Sequence, residues 1–531
     1  MRVLIFHGYL LGGTGSNVYN ARLAQALVGL GHDVHLLSQE RHPERHAFVD
    51  AVGDWDGGSL AVRAIRPSRG VPAGGAGAGR CTVYRPDIGG LLPVYVADRY
   101  EGIEARTFAD CSDAEVARYV QANVDAVREL AALVGPQVAL ANHLVMGPVI
   151  LARGLPRQVP YAVKVHGSAL EYTVKREPDR FLGLAREGLA AARGILVGSH
   201  HTAASLWRAL GDPELARRTR LGPPGVEVQR FAPRDPPAAA TGLRALAASL
   251  RAEGERPGRD RDSAFARDAR AGATALDRLD PEHDVLVAFV GKLILSKGVD
   301  LLLAAWPLVL ESVSAARLVF VGFGAYRPGL EALLGALSAG DLDRARELAW
   351  AGRALEDDSL EPHPLRHLLA FLDSLRGEER ERYLAAARGL GERVVLTGRL
   401  EHDEVAELLP ACQALVVPST FPEAFGMVAA EAAACGVLPL SAAHSGLAEV
   451  SETLARAVPA EAAAWLSFPV DDTAVRAIAA RLSGWLRADP QLRSRTRAGL
   501  VVTARARWSW EGVARGVIAA ARGELDVLQR P

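Results

Sequence analysis

Short apolar runs alternate along the chain with longer stretches that carry apolar residues at helical spacing. Val3 to Phe6 reads as a buried strand, GYLLGGTGSN as a turn, Val18 to Leu30 as a helix ended by Gly31, and Val34 to Leu37 as the next strand. A strand, helix and parallel strand in this order open an α/β domain. Ala114 to Val134 continues the pattern as an amphipathic helix, followed by strands at Gln137–Ala141, Tyr161–Val165 and Ile195–Val197. The Pro/Gly-punctuated segment Leu221 to Asp235 closes this first half.

An Ala/Arg/Asp-rich stretch with few large apolar residues, Pro236 to about His283, reads as a linker insertion or a loose surface helix. The alternation then restarts. Val285–Val290 is a strand, a helix starts at about Val299, and further strands fall at Arg317–Val321, Val394–Leu396, Ala414–Val417 and Val437–Leu440. The connection between the third-quarter strands is overlong, and DLDRARELAWAGRAL with HPLRHLLAFLDSL predicts a helical hairpin with an apolar face inside it. That hairpin is expected to decorate its domain, with an oligomer contact or a roof over a cleft as the functional alternatives. A last helix is predicted from Ala504 to Leu525, with Trp508 and Trp510 at its start. The domain plan is therefore 1–235, a linker at 236–283, 284–503 with an insertion at about 335–391, and a closing helix at 504–531.

At 531 residues the chain exceeds what one core organises. Lys and Arg (61) balance Asp and Glu (62), so no basic field marks a nucleic-acid partner. Cys81, Cys111, Cys412 and Cys435 have no CxxC spacing and read as reduced, buried thiols of a cytoplasmic protein. No segment has the length of a membrane span or a signal peptide, which leaves a peripheral membrane contact open. Between Arg66 and Gly79 the composition collapses to that of a surface loop.

Candidate chemistry collects at strand ends. Asn142-His143, His166-Gly167-Ser168 and Ser199-His200 each follow an apolar run, which places them at the carboxyl edge of a parallel sheet where open α/β folds bind ligands. Gly12, Gly13 and Gly15 would let backbone approach a ligand, although their order is not the dinucleotide fingerprint. Lys292 and Lys297 lie on a strand-to-helix connection suited to phosphate. In PSTFPEAFGMVAAEAAACG, from Pro418 to Gly436, a loop is predicted to become a helix near Phe425, with Glu423 before its first turn and Glu431 further along it.

GKLILSKGVDLLLAAW, TGRLEHDEVAELLPAC and PSTFPEAFGMVAAEAAACGVLPLSAAHSGLAEV together resemble the family 4 glycosyltransferases, retaining nucleotide-sugar-dependent enzymes. GGTGSNVYNARLAQALVGLGHDVHLL, VKVHGS, PPGVEVQRFAPRD and ARWSWEGVARGVI look like the same family's remaining features. The resemblance implies the GT-B fold, two Rossmann-like domains facing each other across a cleft, with a final helix crossing back to the first and Phe231 to Asp235 as a hinge. It also implies site roles. Lys297 matches the family's lysine, and Lys292 stands where arginine is more common; both would neutralise the donor diphosphate. Glu431 matches the glutamate on the ribose hydroxyls, and Glu423 the one on the transferred sugar. The backbone of Ala424, Phe425, Gly426, Met427 and Val428 would complete the cradle. His166 would sit beside the sugar's hydroxymethyl group, Gly13 at the phosphates, and Arg399 and Leu400 at the base. His166, Lys297 and Glu423 are the catalytic candidates. The reaction implied is hexosyl transfer to an acceptor hydroxyl on a carbohydrate, a lipid-linked or a small molecule. The alternatives are a sugar-nucleotide epimerase and a non-catalytic scaffold.

Metal patterns weigh little beside this. Asp54-Trp55-Asp56 and Asp341-Leu342-Asp343 formally offer a DxD motif but follow no convincing buried strand, and Pro43 interrupts the His42/His46 pair. No metal and no cofactor beyond the nucleotide sugar is expected.

Overall fold

The computed structural model describes residues 1–56, 58–66, 79–95, 103–254, 267–357 and 359–531. The loop expected from Arg66 to Gly79 and part of the 236–283 stretch thus lie outside the described residues. The chain forms two compact units: Met1–Gly225 with Trp508–Pro531, and a second running from Val226 to Arg507.

The first unit is built on a sheet of nine strands: β1 (Arg2–Phe6), β2 (Asp33–Leu37), β3 (Ala51–Asp56), β4 (Ser59–Ala64), β5 (Cys81–Arg85), β8 (Val138–Asn142), β9 (Tyr161–Lys164), β10 (Gly194–Val197) and β11 (Thr219–Leu221). Their order is β11-β10-β9-β8-β1-β2-β5-β3-β4. All neighbours are parallel except the β3–β4 hairpin at one edge. β6 (Leu91–Val94) and β7 (Glu104–Thr107) pair separately. Strands β3 to β7 have no counterpart in the predicted pattern.

The central strands are apolar throughout because helices cover both faces. One face packs under the helix Asp113–Val134, whose Ser112/Glu115 capping box fixes its start. The other carries the helix Gly15–Gly29 and the last helix of the chain. That last helix corrects the prediction. It runs Trp510–Arg522, while Ala504 to Arg507 belong to the helix Pro490–Arg507. Ser509 is extended and caps Gly512 N–H, so the chain must break there. Trp510, Val517 and Ile518 enter the core formed by Val3, Ile5 and Leu27.

The second unit has six parallel strands, β12 (Val285–Val290), β13 (Ala316–Val321), β14 (Val394–Gly398), β15 (Ala414–Val417), β16 (Leu438–Ala442) and β17 (Ser467–Phe468), in the order β14-β13-β12-β15-β16-β17. Chain direction across the sheet reverses between β12 and β15, which opens a crevice at their carboxyl ends.

Two further expectations are corrected. The described parts of the 236–283 stretch are no loose linker: the helix Pro236–Gly254 buries Leu243, Leu246 and Leu250 and packs on the helix Ala269–Leu276. The second of these helices also lies close against β14, since a Cβ at Gly272 would stand 3.0 Å from Thr397 O. The insertion is more than a hairpin. Leu342–Ala351 and Arg366–Ser374 are joined by a third helix, Gly377–Ala387, and a short turn, Leu390–Arg393. Its apolar face is spent on its own unit: Phe371, Leu372 and Tyr383 are fully buried, and Tyr383 Oη donates to Ala304 O at 3.0 Å. Of its large apolar side chains Trp350 stays exposed. All four cysteines are free and buried. Among the described residues no helix is long and apolar enough to cross a membrane.

Candidate functional site

The crevice of the second unit is made by two loops stitched together. Lys292 and Lys297 lie on the connection after β12, where Leu295–Lys297 form a single 3-10 turn closed by Gly298 at φ 63°. A Cβ at Gly298 would stand 1.9 Å from Pro418 O, so glycine is what lets the lysine turn seat against the loop after β15. Thr420 N–H donates to Ser296 O at 2.9 Å across the seam.

Glu423 stands at this seam. Its carboxylate pairs with Lys297 Nζ and accepts from Ser419 Oγ at 2.8 Å. Its backbone is pinned from the far side: Glu423 N–H donates to Ser445 Oγ at 2.9 Å, and Gly446 N–H to Glu423 O at 2.9 Å. His444 Nε2 donates to Ser419 O at 2.7 Å and therefore accepts through Nδ1 from Ser445 Oγ at 3.0 Å.

The helix starts at Met427, two residues later than predicted. Gly426 at φ 132° explains the delay, because this conformation lies outside the helix and favours glycine, while a Cβ would meet Leu447 Cδ2 at 2.7 Å. Ala424, Phe425 and Gly426 thus precede the helix Met427–Ala434, and Met427 and Val428 begin its first turn. Glu431 lies on that helix, 3% exposed among alanines, with Oε1 2.7 Å from His402 Nε2. Arg399 pairs with Glu401 at 3.0 Å and lies over the Phe323 ring; Leu400 beside it is buried.

Sequence reasoning missed His402, Ser419, Ser445 and Glu356. His402 sits inside the quoted LEHDEV segment without a role. Glu356 comes from the insertion and accepts from Leu295 N–H at 2.7 Å, capping the lysine turn. Glu227, His402 and Asp403 bring ligand atoms within 4.8 Å of one another, but Arg230 already pairs with Asp403 and supplies the cation there. Of the discounted acidic pairs, Asp54 pairs with Arg85 and Asp341 caps Arg344 N–H.

In the first unit the three strand-end histidines part company. His200 is exposed at the start of a helix capped by Ser199. His143 is buried at φ 68° against Tyr95, 4.5 Å between centroids, and neither ring nitrogen has a hydrogen-bond partner among the described residues. His166 alone joins a polar chain. Its Nε2 donates to Asn142 Oδ1 at 3.0 Å; Asn142 Nδ2 donates to Asn20 Oδ1 at 2.7 Å; Asn20 Nδ2 donates to His7 Nδ1 at 3.0 Å; and His7 Nε2 donates to Leu10 O at 2.9 Å. The chain orients both imidazoles and ends at the Gly-rich turn, where Gly13 is exposed at φ 91° and Asn17 Nδ2 holds Gly12 O at 2.7 Å. Burial lowers His7 to about 4. Burial, His143 and Lys164 hold His166 well below the usual histidine range. His166 is therefore neutral near pH 7, with Nδ1 left as an acceptor.

Residues 367–495 match the family model described as glycosyl transferases group 1. A D-inositol 3-phosphate glycosyltransferase of Segniliparus rotundus is 29% identical over 257 residues, a match spanning 48% of this chain and 43% of that relative. The chain thus aligns with less than half the length of this relative. A sucrose-phosphate synthase of Thermosynechococcus elongatus superposes with a TM-score of 0.55 at 18% identity, covering 99% of both chains. Anabaena HepE in complex with UDP-glucose superposes at 0.52 and 14% identity, covering 98% of this chain and 99% of its own. The catalytic domain of starch synthase IV from Arabidopsis thaliana, bound to ADP and acarbose, superposes at 0.54 and 13% identity, covering 98% and 99%. With its two Rossmann-like sheets and helical insertion, the chain has the GT-B architecture of these structures.

Proposed function

We propose that the chain is a metal-independent, retaining glycosyltransferase that moves a hexosyl group from a nucleoside-diphosphate sugar to an acceptor hydroxyl. The observation that carries the reading is the Lys297–Glu423 pair at the mouth of a helix that also holds the buried Glu431. A cation for phosphate, a carboxylate for sugar hydroxyls and a second carboxylate for a ribose diol lie in one crevice at the sheet's switch point.

In this reading the diphosphate binds Lys292, Lys297 and the N–H groups from Ala424 to Val428, with Gly13 near it and Arg399 and Leu400 at the base. Breaking the anomeric bond builds negative charge on the leaving phosphate, and the two lysines and the helix start are aimed at that charge. Glu423, released from Lys297 as phosphate binds, accepts from the sugar hydroxyls. His166, neutral and oriented through Asn142, accepts from the hydroxymethyl group. Neither glutamate need transfer a proton: the leaving phosphate takes the acceptor's proton on the same face, which retains configuration. The lysines supply the charge that a metal supplies in other glycosyl transfers.

UDP-glucose, bound in HepE, is the first donor to test, and D-inositol 3-phosphate, named in the Segniliparus relative, the first acceptor. The experiment is a thermal-shift panel of nucleotide sugars followed by calorimetry on Lys297→Ala and Glu431→Ala. Donor affinity should fall in both; unchanged affinity in both removes the site. Turnover of donor without any acceptor, giving an isomerised sugar nucleotide, would identify an epimerase instead.

A further inference from the structure

Glu431 faces a histidine to which the roles above give no work. His402 opens the helix His402–Leu408 after β14, and its Nε2 lies 2.7 Å from Glu431 Oε1, 29 residues away in sequence. The His402 ring is itself held. It rests against Phe231, fully buried, with centroids 4.9 Å apart. Carboxylate oxygens of Glu227 and Asp403 lie within 4.8 Å of a ring nitrogen, and both acids are tied to Arg230, Asp403 by a direct ion pair and Glu227 at 3.8 Å.

We propose that His402 is a positioning residue for nucleotide recognition: it holds one oxygen of Glu431 so that the other is presented, in a fixed rotamer, to the ribose diol. The inference rests on the donor reading given above. An ionised carboxylate only accepts hydrogen bonds and a diol donates them, so the Nε2 in this contact must carry the proton. A carboxylate 3% exposed and without a donor would swing toward water, and that change would cost it the ability to accept from both ribose hydroxyls. His402 removes that option. Phe231, packed against the ring, limits its turning away, so the geometry exists before the nucleotide arrives.

The test uses the full-length chain and whichever of UDP, GDP and ADP it binds most tightly by calorimetry, together with the 2′-deoxy and 3′-deoxy forms of that nucleotide. His402→Leu should weaken the ribonucleotide about tenfold and leave at least one deoxy form, already weak, nearly unchanged. His402→Gln, which keeps an N–H donor, should recover most of the loss. Under saturating donor, kcat of His402→Leu should stay within about twofold of wild type, so the loss appears in KM. Melting curves confirm that each variant is folded; should His402→Leu fail to fold, the Gln variant compared with His402→Asn gives the same discrimination by donor reach. Equal losses for ribo and both deoxy forms, or no loss at all, overturn the inference. A wild-type chain that binds none of the three nucleotides, or a Glu431→Ala chain that binds them normally, overturns the donor reading itself. Normal sensitivity to Glu431→Ala with none to His402→Leu overturns the role of His402 alone.

Discussion

Lys164 is 2% exposed at the end of β9, without a carboxylate partner among the described residues, and burial lowers its ammonium to about 7. The displacement from 10.5 corresponds to about 5 kcal/mol between the two protonation states. Gly222 O accepts from Nζ at 2.5 Å and the Tyr19 ring lies 5.6 Å away; both favour the charged form, so a net penalty of about 2 to 4 kcal/mol is the expected size. The sign follows from proton counts. Between pH 7 and 10.5 the unfolded chain holds a proton that the folded chain has released, so stability contributed by this site rises with pH across that window and the full penalty is present below it. Lys164→Met removes the charge at similar volume. At pH 6.5 the variant should therefore be more stable than wild type by about 2 to 4 kcal/mol, and at pH 9.5, one unit below the ordinary lysine value of 10.5, the gap should shrink to about 1.4 kcal/mol or less. Differential scanning calorimetry at the two pH values reads the gap as a shift of several degrees in the unfolding of the first unit. A gap that is the same at both pH values, or a variant less stable at pH 6.5, would refute the reasoning by showing that the ammonium is fully compensated where it sits.

Asp300 makes the opposite case in the second unit: burial pushes its carboxyl up to about 7, so stability from this site falls as pH rises from about 4 to 7. Asp300→Asn should raise the melting temperature at pH 8 and give no gain at pH 4, measured by the same calorimetry. Separating the two glutamates, Glu431→Ala should weaken nucleotide binding about 10- to 100-fold, whereas Glu423→Ala should lower kcat with nucleotide affinity within a few-fold; calorimetry with the bare diphosphate and initial rates tell them apart. Glu356→Ala, which uncaps the lysine turn, should raise KM for the donor severalfold without a change in melting temperature above about a degree. Deleting residues 339–389 should abolish soluble expression of a folded chain, because Phe371, Leu372 and Tyr383 belong to the core of the second unit; a folded, active deletion product detected by circular dichroism and assay would show the insertion to be detachable.

Much of this molecule is legible in its sequence where burial writes a continuous signal. β12 and β15 fall on their predicted bounds because strands covered on both faces read as unbroken apolar runs. The failures share a cause: contacts made by small or polar side chains leave no hydropathy trace. Pro236–Gly254 and Ala269–Leu276 bury alanines and glycines, among them Ala240, Ala247, Gly272 and Ala273, beside only a few leucines, and so look like a solvated linker. GEERERYLAAA hides a helix that buries Tyr383 and Ala387 alone. The break before Trp510 is invisible because one serine cap separates two stretches of good helix formers. Glu423, Glu431 and the two lysines can be singled out through a family resemblance and their local order. His402 and Glu356 could not be, since their partners lie far along the chain and a hydrogen bond between distant loops has no periodicity to detect.

The two units meet the same problem, holding polar groups ready in a partly dry place, with different chemistry. The first uses neutral groups: His166, Asn142, Asn20 and His7 pass one hydrogen-bond direction along a chain, and burial keeps both imidazoles uncharged. Such a chain orients without holding charge, which suits contact with hydroxyls. The second holds its groups in pairs, Lys297 with Glu423 by opposite charge and His402 with Glu431 by a hydrogen bond. A crevice holding bare lysines would bind any anion, and one holding bare carboxylates would repel a diphosphate; paired, it does neither. Under the proposed function, a ligand must bring phosphate for Lys297 and hydroxyls for Glu423 together to gain from opening the pair, since either alone leaves one partner unpaired. Selectivity for a sugar attached to a diphosphate, over free sugar or free phosphate, is then a property of that single ion pair. Lys297→Met with Glu423→Gln, removing both charges at once, should therefore bind nucleotide sugar and plain nucleoside diphosphate with nearly equal affinity, and retained preference for the sugar nucleotide in that double variant would locate the selectivity elsewhere.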